Sequence, residues 1–369
     1  MNSKDLRVTA LPEHVTVFVN WACNLRCRQC WLYGDSRAEN QWLNEVRGQQ
    51  LDFGLFEKMV DELLSSRSIL SISVMGGEPF LFRDLERLGA LVRTRAPNSH
   101  LDVSTNGMFV FDRHIRLPEY LSIAYFSLDG AKPQTNDPIR GGGTFQAVTE
   151  GIGHYQALQS SYSRLRVGIN FTVTSANYRE LPKMVQLAER LRVDELSVNF
   201  AMFFNTAEGT RAQNEFTPLL GRDFVSWRGF LNDQFGQEVD PAQLEASLIE
   251  AEAGVSHIRL LIAPTRYGPH EKANYFTASW PGQIRERGCP RLTYQTTLLP
   301  NGDIISCTPF ADTVMGNLRE QSLGEIWHGE RYRRFRQHFT SSLSPICYRC
   351  CDLNNDMDVD PSVFASVRL

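Results

Sequence analysis

Eight cysteines fall into two groups: Cys23, Cys27 and Cys30 near one end, and Cys289, Cys307, Cys347, Cys350 and Cys351 near the other. Cys23-Asn-Leu-Arg-Cys27-Arg-Gln-Cys30 sets three thiols within eight residues. Three thiolates on one short loop can hold three irons of a cubane cluster and leave the fourth without a protein ligand. An open iron can take a chelating substrate or cofactor, as an open zinc position does. The same loop also fits a zinc site completed by a distant ligand, or buried thiols that bind nothing.

In the second group, seventeen residues separate Cys289 from Cys307, and Cys347-x-x-Cys350 follows at knuckle spacing. Four thiolates at such spacing bind zinc as readily as an iron–sulfur cluster. Cys351 is left over, a packing neighbour or an alternative ligand. The acidic tail Asp352 to Asp360 lacks the mid-loop glycine and terminal glutamate of a calcium loop.

The elements that carry these thiols alternate. Strands are expected over His14–Trp21, Ile69–Met75, His100–Ser104, Leu121–Ser127, Arg164–Thr174 and Glu195–Phe204. Helices are expected over Phe53–Leu64, Asp84–Thr94, Thr144–Leu158 and Glu180–Leu191. Such alternation implies parallel strands joined by right-handed crossovers, in a doubly wound sheet or a barrel. Asn20–Cys30, Gly76-Gly77-Glu78-Pro79, Ser104-Thr105-Asn106-Gly107 and Ser127-Leu128-Asp129-Gly130 follow the first four strands in turn. All lie at the C-terminal strand ends, where α/β proteins assemble their sites.

Residues 205–285 break the rhythm with a polar stretch (Asn205–Asn214), a helical region (Asp223–Glu252) and a strand-like His257–Ile262. They read as a connecting or substrate-shaping insertion between a domain over 14–204 and a cysteine-bearing one over 286–369. In the latter, Asn301-Gly302 signals a hairpin and Leu323–Phe339 a helix.

The Cys23-x-x-x-Cys27-x-x-Cys30 loop, followed in order by Gly76-Gly77-Glu78-Pro79, resembles the radical S-adenosylmethionine (SAM) superfamily. The resemblance implies an α/β fold built on a partial (β/α)6 TIM-like barrel. It implies a 4Fe-4S cluster on the three cysteines, whose unique iron chelates the amino and carboxylate groups of the SAM methionine. Gly76, Gly77, Glu78 and Pro79 would hold the amino group, and Ser104, Thr105 and Asn106 would lie near the ribose and methionine. Ser127 and Arg140 would bind the carboxylate, to which an arginine fork is suited. Gln29 stands where the family often has an aromatic residue.

Gly316-Asn317-Leu318, Ser322-Leu323 and Ile326-Trp327 resemble the linker of the SPASM auxiliary-cluster extension. With ligands Cys289, Cys307, Cys347 and Cys350, the segment resembles its shortened twitch form, which holds one auxiliary 4Fe-4S cluster suited to electron relay. Cys351 is then also a candidate hydrogen-atom donor.

The implied chemistry is reductive cleavage of SAM to a 5′-deoxyadenosyl radical, which abstracts a substrate C–H hydrogen. The expected outcome is oxidation of a small natural-product substrate: a sugar, aminocyclitol or nucleoside. The alternative is a ribosomal peptide that is oxidised, cross-linked or epimerised. The short stretch Met1–Glu13 leaves no room for a leader-binding domain and favours the small molecule. A flavodoxin- or ferredoxin-type electron donor is the implied partner. A non-catalytic iron–sulfur or zinc module is the reading from another class, and it would not need the Gly-Gly-Glu-Pro loop.

Net charge is −4 and basic residues are scattered. Arg331, Arg333, Arg334 and Arg336 read as a solvated helix face, so no nucleic acid is expected. No run approaches the roughly 18 apolar residues of a membrane span, and Met1 to Pro12 lacks a secretory signal. A cytoplasmic location follows as the expectation.

Overall fold

The computed structural model describes residues 8–34, 41–65, 70–232, 238–265, 267–277, 288–350 and Leu353. Its centre is a ten-stranded sheet in the order β10-β9-β8-β1-β2-β3-β4-β5-β6-β7. The strands are β1 (His14–Phe18), β2 (Ser71–Met75), β3 (His100–Thr105), β4 (Ile123–Ser127) and β5 (Arg166–Val173), then β6 (Glu195–Phe200) and β7 (Arg259–Ala263). After these come β8 (Gln295–Leu298), β9 (Asp303–Ile305) and β10 (Val314–Asn317).

The six strands expected from the alternation stand side by side in chain order, all parallel. β7 extends the parallel run beyond β6. On the opposite side, β8 pairs in parallel with β1, His14 beside Gln295 through Val17 beside Leu298. The antiparallel β8–β9–β10 meander thus continues the barrel's own sheet.

Side-chain alternation assigns the two faces. Val15, Val17, Ile72, Val74, Val103, Phe126, Ile169 and Phe171 are at most 1% exposed, within one apolar core. That core also holds Phe56, Met59, Val60, Leu88, Val92, Val148, Ile152, Met184 and Val185 from the connecting helices. The alternate residues Ser73, Ser104, Tyr125, Ser127, Asn170, Thr172, Ser197 and Asn199 are only half-buried. They form a polar inner face. Period-two patterning thus separates a helix-packed side from one that receives polar groups.

Two local expectations change. The polar stretch Asn205–Asn214 is mostly helix, within Thr206–Leu220. Asn205 accepts the Glu208 N–H at 2.8 Å and Glu208 accepts the Asn205 N–H at 3.0 Å, a capping box. Its buried residues Gly209, Ala212, Phe216 and Leu220 recur at helical spacing. Arg336 does not belong to a solvated face: it is 5% exposed and donates to the Leu292 and Trp327 carbonyls. Among the described residues, no helix is long and apolar enough to cross a membrane.

Candidate cluster and cofactor site

The chain leaves β1 and lays residues 20–34 across the sheet's C-terminal rim. Gly77 N–H donates to the Asn20 carbonyl at 3.0 Å, and Glu78 N–H to the Ala22 carbonyl at 2.7 Å. The cysteine loop and the Gly-Gly-Glu-Pro loop are therefore in direct backbone contact. A Cβ on Gly77 would stand 2.2 Å from the Ala22 oxygen, and one on Gly76 2.5 Å from the Asn20 oxygen. The two glycines admit the cysteine loop itself, an approach that any side chain would block.

Glu78 is 1% exposed. Its Oε1 accepts from Phe80 N at 3.0 Å and Thr105 Oγ1 at 2.7 Å, and its Oε2 accepts from Asn106 N at 2.7 Å. Burial pushes its carboxyl above the ordinary range, opposed by those hydrogen bonds. Glu78 therefore locks the second loop to the third. The Asn106 amide reaches back to Asn24 Oδ1 at 2.8 Å and to Cys23 Sγ at 3.9 Å. Ser104 accepts from Asn170 at 3.2 Å, and Ser127, which closes β4, pairs in register with Asn170.

Arg140, at the end of the helix Pro133–Arg140, meets the cysteine loop from the other side. Its carbonyl accepts from the Cys27 thiol at 3.7 Å, and Arg28 N–H donates to the Ile139 carbonyl at 2.9 Å. Its Nη1 donates to Asp129 Oδ2 at 2.6 Å. Asp129, fully buried, also accepts from the Gln29 amide and, at Oδ1, from Thr172 N at 2.7 Å. Asp129 is a site residue that no local sequence motif singles out. The signal for it was a carboxylate in the fourth rim loop, eleven residues before Arg140.

The residues fit a metal cluster with a polar ligand. Among the described residues, Arg140 Nε, Gln29 Oε1 and Asn20 Oδ1, on or against the cysteine loop, are buried without a hydrogen-bond partner. Such groups are costly unless a ligand or water completes them. Burial raises the Cys23 and Cys30 thiols and takes Cys27 to about 11. A bound cation reverses that balance and holds the thiolates. Among the described residues, no three or more His, Cys, Asp or Glu side chains meet the geometry of a single metal ion.

Cys289, Cys307, Cys347 and Cys350 all pack against the main core. Cys350 N–H bonds the Cys347 carbonyl at 3.1 Å, and Cys289 N–H the Phe339 carbonyl at 2.9 Å. Burial, with Cys289 nearby, drives the Cys347 thiol strongly upward. Cys351 lies outside the described residues.

A model of the radical SAM superfamily matches residues 21–188, and one of an iron–sulfur cluster-binding domain, SPASM, matches 289–351. Over 358 residues the chain is 24% identical to the tungsten-containing aldehyde ferredoxin oxidoreductase cofactor-modifying protein of Pyrococcus furiosus, covering 92% of this chain and 88% of that protein. In fold it is similar to SuiB of Streptococcus suis, solved bound to S-adenosylmethionine: TM-score 0.63, 15% identity, covering 89% of this chain and 68% of that one. It is likewise similar to anSMEcpe, solved with AdoMet and a peptide: TM-score 0.59, 16% identity, covering 92% and 87%.

Proposed function

Because the chain belongs to the radical SAM superfamily and carries a SPASM iron–sulfur domain, we propose that it is an oxidoreductase removing hydrogen from a C–H bond of a small polar substrate. A sugar, an aminocyclitol or a nucleoside has the required character. The observation that carries this reading is the convergence of Cys23, Cys27, Cys30, Glu78, Asn106 and Arg140 on one rim. Below that rim lies a half-open polar face.

When bound, the 4Fe-4S cluster and SAM supply a hydrogen-abstracting 5′-deoxyadenosyl radical. The chain's residues supply placement and exclusion of water. Cys23, Cys27 and Cys30 would hold the cluster and would leave one iron free of protein ligands. Arg140, whose Nε has no partner among the described residues, would bind the carboxylate of SAM. Glu78 fixes the Thr105–Asn106 turn while Gly76, Gly77 and Pro79 shape the second loop. Ser104 and Ser127 present hydroxyls at the mouth. Cys289, Cys307, Cys347 and Cys350 would hold an auxiliary cluster, which would supply an electron acceptor for oxidation of the substrate. Residues 205–285 shape the substrate's entry. A flavodoxin- or ferredoxin-type protein delivers the priming electron.

Anaerobic reconstitution followed by reduction with SAM tests the reading. 5′-Deoxyadenosine should form well above a Cys30→Ala control, and its absence sinks the proposal. A peptide substrate is the second reading, supported by the fold likeness to anSMEcpe, solved with a peptide. A short precursor-peptide frame beside the gene would favour it.

A further inference from the structure

One carboxylate on the inner face takes no part in the rim just described. Asp102 precedes Ser104 by two positions on β3, about 6.6 Å deeper at the rise of a strand. Its Oδ1 accepts from Ser73 Oγ at 2.8 Å and lies 3.6 Å from His100 Nε2. No described residue donates to Oδ2, yet Oδ2 is not among the sealed, partnerless side-chain atoms, and the side chain keeps 11% exposure. Ser73, Ser104 and Tyr125 around it are half-buried, whereas Val74, Val103 and Phe126 on the opposite face are sealed. Open space therefore lies on Asp102's side of the sheet.

The neighbouring charges are already matched. Tyr125 donates to Glu195 Oε1 at 2.6 Å, and Arg259 pairs with Glu195 at 3.2 Å. Gly168 makes room for that tyrosine: a Cβ there would stand 2.6 Å from the ring. His100 is held neutral at ordinary pH, since burial lowers it to about 4. Among the described residues, Asp102 has one oxygen satisfied by Ser73, one open, and no Lys or Arg paired with it. That oxygen is open to water and equally to a donor carried by a ligand.

We propose that Asp102 is the substrate-binding group on the floor of the inner face, taking a hydroxyl or amino substituent of the substrate at Oδ2. The inference rests on the functional reading above and narrows its substrate to a molecule bearing such a donor. Burial pushes the Asp102 carboxyl up to about 7, opposed by the Ser73 hydrogen bond and reinforced by Glu195. The titratable or charged groups sharing its face are His14 on β1, His100 on β3, Tyr125 on β4, Arg166 on β5, Glu195 on β6 and Arg259 on β7. A donor bound to the carboxylate favours its charged form and lowers the midpoint.

Infrared difference spectra of the reconstituted full chain, recorded from about pH 5 to 9, test this. The wild type should show a carboxyl band titrating near neutrality, absent from Asp102→Asn and shifted upward in Ser73→Ala. The probes are 2-deoxystreptamine, an aminocyclitol, and myo-inositol, which carries hydroxyls alone. A fall of about one pH unit, tenfold in proton affinity, with the first alone assigns an amine; a fall with both assigns a hydroxyl. A midpoint that neither probe moves overturns the proposal, as does the lack of any Asp102-dependent band. Should Asp102→Asn fail to fold, the Ser73→Ala shift identifies the band. Formation of 5′-deoxyadenosine by the wild type is scored separately, so failure of the functional reading is distinguishable from failure of this one.

Discussion

Arg140 Nη1 donates to Asp129 Oδ2 across 2.6 Å, between side chains 11% and 0% exposed. The same carboxylate takes the Gln29 amide and the Thr172 N–H, so one buried charge ties the cysteine loop, the fourth rim loop and β5 together. Asp129→Asn leaves Arg140 buried with no charge opposite. The expected cost is about 3 kcal/mol, read from denaturant midpoints at unchanged slope. A loss well under about 1 kcal/mol would show that the pair behaves as an exposed one.

Gly77→Ala places a methyl group against the Ala22 backbone, with 2.2 Å available. Backbone cannot rotate away as a flexible side chain can, so the cysteine loop must shift. Overpacking of this kind costs about 1–3 kcal/mol. The variant should fold with a lowered melting temperature and carry much less iron after reconstitution than the wild type. Full iron loading would mean that the loop tolerates the shift.

Iron and sulfide should each approach about eight per reconstituted chain, as two [4Fe-4S] units require. Cys347→Ala should bring that toward about four while leaving the SAM-dependent signal in place, and Cys30→Ala should abolish that signal. A wild-type count near four refutes the auxiliary cluster.

Asp102 sets a pH dependence of stability. Its folded value of about 7 lies above the ordinary 3.8. Between those limits the folded state keeps a proton that the unfolded chain has released. The contribution is therefore full below about pH 4 and is lost as pH climbs through 7. At about 1.4 kcal/mol per unit, its ceiling is on the order of 4 kcal/mol. Urea midpoints across this window should fall more steeply with pH in the wild type than in Asp102→Asn. Parallel slopes would remove the linkage.

Much of this was legible in the residues. Val15 and Val17 flanking Thr16 announce a two-faced strand, and the order of the rim loops follows from the order of the strands. What escaped depends on contacts between distant positions. Asp129 draws its donors from residues 29, 140 and 172, a convergence that no local pattern encodes. The helix over 206–220 hid behind polar residues because its buried face is carried by small residues, Gly209 and Ala212, as much as by Phe216 and Leu220. Glu78 was legible as part of the second loop, but its bonds to Thr105 and Asn106 appear only once β2 and β3 are adjacent.

The pairing of β8 with β1 bears on how the protein can be divided. Cutting the chain ahead of residue 288 would strip four paired neighbours from His14–Val17 and leave β1 an open edge rich in β-branched residues. Bare strands of that kind recruit one another. The excised barrel should sediment as aggregates where the whole chain stays monodisperse, so the distal cysteines travel with a segment that also keeps the barrel soluble.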